Sequence, residues 1–161
     1  MANQLISSGA RKKVLPIHQL AERQVLIIFT DGGARNNPGP AAIGIVIGDR
    51  EYAEYLGETT NNVAEYQAVI FALKKARHLL GKEKLKNTEI VINLDSELVA
   101  NQLNDKYKIL ESDLQPLFME IWNLKFDFPN LKFHYIPREK NKRADRLVNE
   151  ILDKQNQKPL L

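Results

Sequence analysis

Residues 25–30 read Val-Leu-Ile-Ile-Phe-Thr, an unbroken β-prone run. Apolar residues without alternation mark a strand covered on both faces. A sheet built on such a strand needs a covering layer on each side. The run stops at Asp31-Gly32-Gly33 and gives way to the turn-rich Asn36-Asn37-Pro38-Gly39-Pro40.

The chain beyond this turn supplies the layers. Residues 42–47 alternate around Gly44 and predict a second strand. Residues 51–58 predict a third, with Asp49-Arg50 as a tight connection, giving an antiparallel meander. Thr59-Thr60-Asn61-Asn62 then opens a helix, with Val63, Tyr66, Ile70, Leu73, Arg77 and Leu80 at helical spacing and Gly81 as its stop. Residues 89–94 predict a fourth strand, and Ser96 caps a helix through Val99 and Leu103. Residues 113–126 predict an amphipathic helix carrying Leu117, Ile121, Trp122 and Leu124. A last strand over 131–136 and a last helix over 141–153 complete the pattern. Strands alternating with helices after a meander imply an α/β fold: a five-stranded mixed sheet, three antiparallel strands then parallel ones, flanked by helices.

The chain has 161 residues, which predicts one domain, here over 24–153. Residues 1–23 carry no sustained period and predict a flexible tail. Its basic run Arg11-Lys12-Lys13 is either solvated or an auxiliary nucleic-acid contact. Residues 154–161 predict a C-terminal tail. The sequence has no cysteine, which excludes disulfides, cysteine-bound zinc and thiol nucleophiles. His18, His78 and His134 are too scattered for a histidine-rich zinc site. No apolar run approaches the ~20 residues a bilayer requires, and no secretory signal is evident. The expectation is a cytoplasmic protein away from membranes. A net charge of +3 permits a polyanionic partner without demanding one.

Three acidic residues fall where a strand ends or a helix begins: Asp31, Asp95 and Glu65. Open α/β sheets bind ligands beyond the carboxyl ends of their parallel strands. If their strands are parallel neighbours, Asp31 and Asp95 meet there. A helix start packed across that edge adds Glu65, and the last helix adds Asp145. Clustered carboxylates repel one another and tolerate full ionisation only around a cation. Oxygen ligands without cysteine or histidine indicate Mg²⁺ or Mn²⁺. Each residue also has an ordinary reading. Glu65 could complete a capping box with Asn62. Asp31 could be a turn residue, Asp95 a charge favouring a helix start, and Asp145 a surface acid.

Taken together, the local contexts resemble the type 1 ribonuclease H family. They are Thr30-Asp31-Gly32-Gly33, Asn36-Asn37-Pro38-Gly39-Pro40, Thr60-Asn61-Asn62-Val63-Ala64-Glu65, Leu94-Asp95-Ser96 and Ile136-Pro137-Arg138-Glu139-Lys140-Asn141-Lys142-Arg143-Ala144-Asp145. The last is similar to the form found in a branch common in archaea and some bacteria. The resemblance implies the ribonuclease H-like fold and an endonuclease that hydrolyses the RNA strand of RNA–DNA hybrids. Two Mg²⁺ ions, replaceable by Mn²⁺, would serve it, leaving 5′-phosphate and 3′-hydroxyl ends. It makes Asp31, Glu65, Asp95 and Asp145 the catalytic metal ligands, Asp31 bridging both ions. It places Gly32, Asn37, Thr60, Asn61, Asn62, Ser96, Arg138 and Asn141 against the substrate. Asn37, Asn61 and Asn62 would read the minor groove and Thr60 would hold a DNA phosphate. Side-chain amides both donate and accept, as reading a 2′-hydroxyl requires; as plain chemistry they serve equally well in loops and caps.

The chain also departs from many family members. The loop before Asp145 is short and has no histidine, and His134 falls inside a strand. Arg138 is either a replacement phosphate contact or a surface residue. Residues 105–112 hold only Lys106 and Lys108 where relatives carry a basic handle, and Glu97 stands where many have glutamine. Double-stranded RNA is a further expected substrate, with a monomer and no obligate protein partner. The alternative is a related nuclease, or a non-catalytic nucleic-acid-binding module, on the same fold.

Overall fold

The computed structural model describes residues 24–157. The expectations for residues 1–23 and for the end of the C-terminal tail lie outside the described residues. Five strands form one sheet: β1 (Gln24–Ala34), β2 (Gly39–Ile47), β3 (Arg50–Thr59), β4 (Thr88–Leu94) and β5 (Leu131–Tyr135). Their spatial order is β3-β2-β1-β4-β5. β1–β2 and β2–β3 pair antiparallel, while β1–β4 and β4–β5 pair parallel. This is the mixed sheet the sequence pattern requires, with the apolar run of β1 at its centre.

The helices are α1 (Asn61–Lys86), α2 (Glu97–Leu103), α3 (Gln115–Lys125) and α4 (Lys142–Asn156). A short 3-10 turn, Arg138–Lys140, precedes α4. Along β1 and β2, alternate residues face opposite layers. Leu26, Ile28, Ile43, Ile45 and Ile47 join the main core with Tyr66, Ile70 and Leu73 of α1, and with Val99, Leu103, Ile121 and Leu124 from α2 and α3. Ala42 instead packs with Val148 and Leu152 of α4 in a smaller cluster.

Several boundaries differ from the sequence expectation. β1 does not end at Asp31. Its parallel pairing with β4 stops at Thr30↔Leu94, but antiparallel pairing with β2 continues to Ala34↔Ala41. Gly81 breaks the helical backbone with φ 74°, as a helix stop should, but a further helical stretch carries α1 to Lys86. α3 starts later than expected, at Gln115, with a proline in its first turn. Trp122, expected on its apolar side, is 42% exposed. α4 runs past Asp153 to Asn156.

Candidate active site

Asp31 sits where β1 loses one neighbour and keeps the other. It pairs with Gly44 of β2. A side chain at Gly44 would put its Cβ 2.3 Å from the Ala144 carbonyl oxygen of α4. The bare glycine therefore lets the first turn of α4, with Asp145, lie against the strand beside Asp31. Gly32 does the same for the opposite layer, since a Cβ there would fall 2.3 Å from the Ala64 backbone. α1 thus presses its first turn onto β1 and delivers Glu65. The parallel β1–β4 register brings in Asp95, just beyond Leu94.

These placements join residues remote in sequence. Asp31, Glu65 and Asp95 each offer a carboxylate oxygen within 4.8 Å of the others. Asp145 lines the same cleft but stands outside that tight group. The cleft has a volume of about 340 Å³. Asp31 and Glu65 are each only 7% exposed, and Glu65 Oε2 is buried with no protein partner. The capping-box reading of Glu65 fails. The cap of α1 is Thr60, whose hydroxyl accepts the Val63 N–H at 3.2 Å.

The electrostatics follow from burial and crowding. Burial, then the charges of Asp95 and Asp145, push Asp31 up to about 8; the Gly32 N–H and the Arg138 guanidinium oppose the rise. Burial, then the charges of Asp31 and Asp95, hold Glu65 well above the usual carboxylate range. Burial also raises Asp95, against a hydrogen bond from Asn141 and the charge of Arg138. Acids so placed either keep protons or share a cation. A hard divalent ion suits the oxygen donors, and the unpartnered Glu65 oxygen gives it a ready ligand atom.

The other expected site residues fall into two groups. Gly32, Asn61, Asn62, Ser96 and Arg138 line the cleft. Asn61 Oδ1 accepts the Ala34 N–H at 2.7 Å, and Asn37 Oδ1 accepts the Asn61 N–H at 2.9 Å, tying the β1–β2 loop to the start of α1. Asn37 is exposed and precedes a cis peptide to Pro38. Ser96 caps α2, its hydroxyl accepting the Val99 N–H at 3.2 Å. Asn141 is different. It is buried beneath the carboxylates, and its amide donates to the Thr30 carbonyl and to Asp95. His134, on β5, shares a hydrogen bond of 2.9 Å with Asn93 of β4, a cross-strand contact within the sheet.

The cleft also contains residues that sequence reasoning missed. Val148, Asn149 and Leu152 extend it along α4, and Arg35, just past the end of β1, lines it as well. Asn149 lies four positions after Asp145, and its amide donates to the Asp145 carbonyl at 3.1 Å. Helical spacing from Asp145 was the available signal.

Sheet order and acidic cleft together define a ribonuclease H-like domain. The pattern of one family, described as reverse transcriptase-like, matches residues 29–151. Among solved structures, LC11 ribonuclease H1 in complex with an RNA/DNA hybrid is 48% identical with a TM-score of 0.76, over 81% of this chain and 99% of that one. Ribonuclease H1 of Halobacterium salinarum is 35% identical with a TM-score of 0.73, over 81% and 98%. The bifunctional protein Rv2228c of Mycobacterium tuberculosis is 36% identical over 135 residues, covering 80% of this chain and 35% of that protein. The chain thus spans about a third of the length of the mycobacterial relatives it matches. The chain belongs to the ribonuclease H family.

Proposed function

We propose that this protein is an endonuclease that hydrolyses the RNA strand of RNA–DNA hybrids with two divalent cations, leaving 5′-phosphate and 3′-hydroxyl ends. One observation carries the reading: the carboxylate oxygens of Asp31, Glu65 and Asp95 converge within 4.8 Å. The hybrid held by the similar LC11 enzyme supports the substrate class.

In this reading Asp31, Glu65, Asp95 and Asp145 hold the cations, Mg²⁺ with Mn²⁺ as substitute. When bound, the ions would supply activation of a water and stabilisation of the leaving oxygen. The chain's own groups do the rest. Asp31, where both layers meet, would be a ligand common to the cations when they bind. Arg138 brings positive charge to the rim and holds a substrate phosphate. The oxygens of Asn37 and Asn61 are committed to backbone N–H groups. Their amide N–H groups, with the Asn62 side chain, are left to meet a 2′-hydroxyl. The Thr60 and Ser96 hydroxyls accept helix N–H groups. Their protons remain free to donate to a phosphate oxygen. Gly32, by admitting the start of α1 against β1, brings Glu65 to the other carboxylates, and its backbone lines the cleft in which the substrate would lie. The catalytic unit is residues 24–153, acting as a monomer in the cytoplasm. No helix among the described residues is long and apolar enough to cross a membrane.

A cleavage panel with Mg²⁺ and with Mn²⁺ tests this. Its substrates are an RNA–DNA hybrid, double-stranded RNA, double-stranded DNA and a duplex holding one ribonucleotide. Cutting of the hybrid RNA strand with 5′-phosphate ends is expected, together with slower cutting of double-stranded RNA. Purified protein that leaves the hybrid whole with either metal overturns the proposal.

A further inference from the structure

Asn141 sits between the 3-10 turn and α4 and is 1% exposed. Asparagine at a helix start ordinarily turns its side chain back to cap the first turn. Here it makes no such bond. Its Nδ2 donates instead to the Thr30 carbonyl at 2.9 Å and to Asp95 Oδ2 at 3.1 Å. Its backbone carbonyl accepts the Asp145 N–H at 3.1 Å. Its Oδ1 is buried without a partner. An unfilled cap and an orphaned acceptor both cost stability. The side chain is therefore placed against its own local preference.

What that placement achieves is a link between three carboxylates. Thr30 immediately precedes Asp31, so one amide references Asp95 to the strand that carries Asp31. The same residue's carbonyl fixes the turn that carries Asp145. We propose that Asn141 is a positioning residue, which sets the direction of Asp95 and its spacing from Asp145 before any cation arrives. It acts through those carboxylates and does not touch substrate. The kinetic part of this inference rests on the nuclease reading; the cation-binding part does not.

Two variants and two readouts test it. Asn141→Ser removes the reach to Thr30 and Asp95 but supplies a hydroxyl able to cap α4. Asn141→Ala removes both. Mn²⁺ affinity is titrated calorimetrically without nucleic acid, Tm is measured in EDTA, and kcat and KM are measured on the hybrid. Partners that orient metal ligands are typically worth roughly 10–100-fold in affinity or activity. Both variants should lose about that factor in Mn²⁺ affinity and in kcat, with KM little changed, and Asn141→Ser should keep its Tm. Adding Asn141→Ala to Asp95→Asn should lower Mn²⁺ affinity far less than it does alone. Wild-type Mn²⁺ affinity and kcat in both variants would overturn the inference. So would a raised KM at constant kcat, loss of the fold in both variants, or a wild type that binds no Mn²⁺. A wild type that binds Mn²⁺ but cuts no hybrid sinks the nuclease reading alone, and the titration still decides the role of Asn141.

Discussion

The two faces of the sheet carry unequal loads. On one, α1, α2 and α3 close over β1, β2 and β4 in a continuous core that includes Tyr66, Leu73, Val99 and Leu124. On the other, α4 rests on Ala42 through Val148 and Leu152. Each face sends one acid into the same cleft, Glu65 from α1 and Asp145 from α4. Each does so where a glycine removes the spacing side chain. The heavier face delivers the acid that joins Asp31 and Asp95 at close range, and the lighter face delivers the outlying one. Ion pairs of Arg143 and Arg146 with Glu51, and of Arg35 with Asp153, brace α4 at the surface. Exposed pairs of this kind add little.

The comparison breaks most completely at the acid both faces share. Asp31→Asn should abolish cleavage while leaving hybrid binding, because an amide cannot bridge two cations as a carboxylate does; turnover near wild type would refute the assignment. The same variant should stabilise the metal-free protein. In the folded chain Asp31 is raised from 3.8 to about 8. It keeps its proton where the unfolded chain has released it, so stability falls as pH rises between about 4 and about 8. Glu65 and Asp95, raised in the same direction, add to this loss. Tm measured in EDTA should fall across that window, Asp31→Asn should flatten the slope, and saturating Mg²⁺ should restore much of the loss.

Packing variants sharpen the contrast. Leu73→Ala, in the fully buried α1 core, should cost near the upper end of the ~2–5 kcal/mol typical of such truncations, and Leu152→Ala under α4 near the lower end. Urea titration of both variants reads the difference; equal costs would erase the distinction between faces. Gly44→Ala forces a methyl against the Ala144 carbonyl and should cost about 1–3 kcal/mol as overpacking. Because α4 is the more lightly held helix, it should yield, and kcat should drop by more than stability alone explains. Glu51→Ala removes the surface brace and should have the smallest effect, a slight Tm shift that disappears in high salt.

Much of this architecture was legible in the chain because it rests on local patterns. The apolar run of β1, the spacing of Tyr66, Ile70 and Leu73, and Ser96 as a cap each depend on neighbours within a few residues. From these the parallel meeting of Asp31 and Asp95 comes by topology. What stayed hidden depends on distant partners. β1 continues to Ala34 because β2 offers a ladder there, which residues 31–34 alone do not announce. Two capping residues were within reach at α1, and only the fold decides that Thr60 caps and Asn62 lines the cleft. Asn141 reads in the sequence as a substrate contact at the start of the last helix. Its actual acceptor, Thr30, lies 111 positions away. Asn149 was readable by helical spacing from Asp145, but nothing in its type distinguishes it from any polar residue on an exposed helix.

β1 outlasts β4, and that small mismatch shapes how anything large can approach. Past Thr30 the strand has a partner along one edge only, and the vacated edge becomes a notch. Asn61, Asn62 and Glu65 wall it on the α1 side, with Asp145, Val148 and Asn149 on the α4 side. The walls are rooted in opposite layers of the protein. A polymer seated in the notch therefore stitches the two layers together, and the domain should be at its stiffest when it is full.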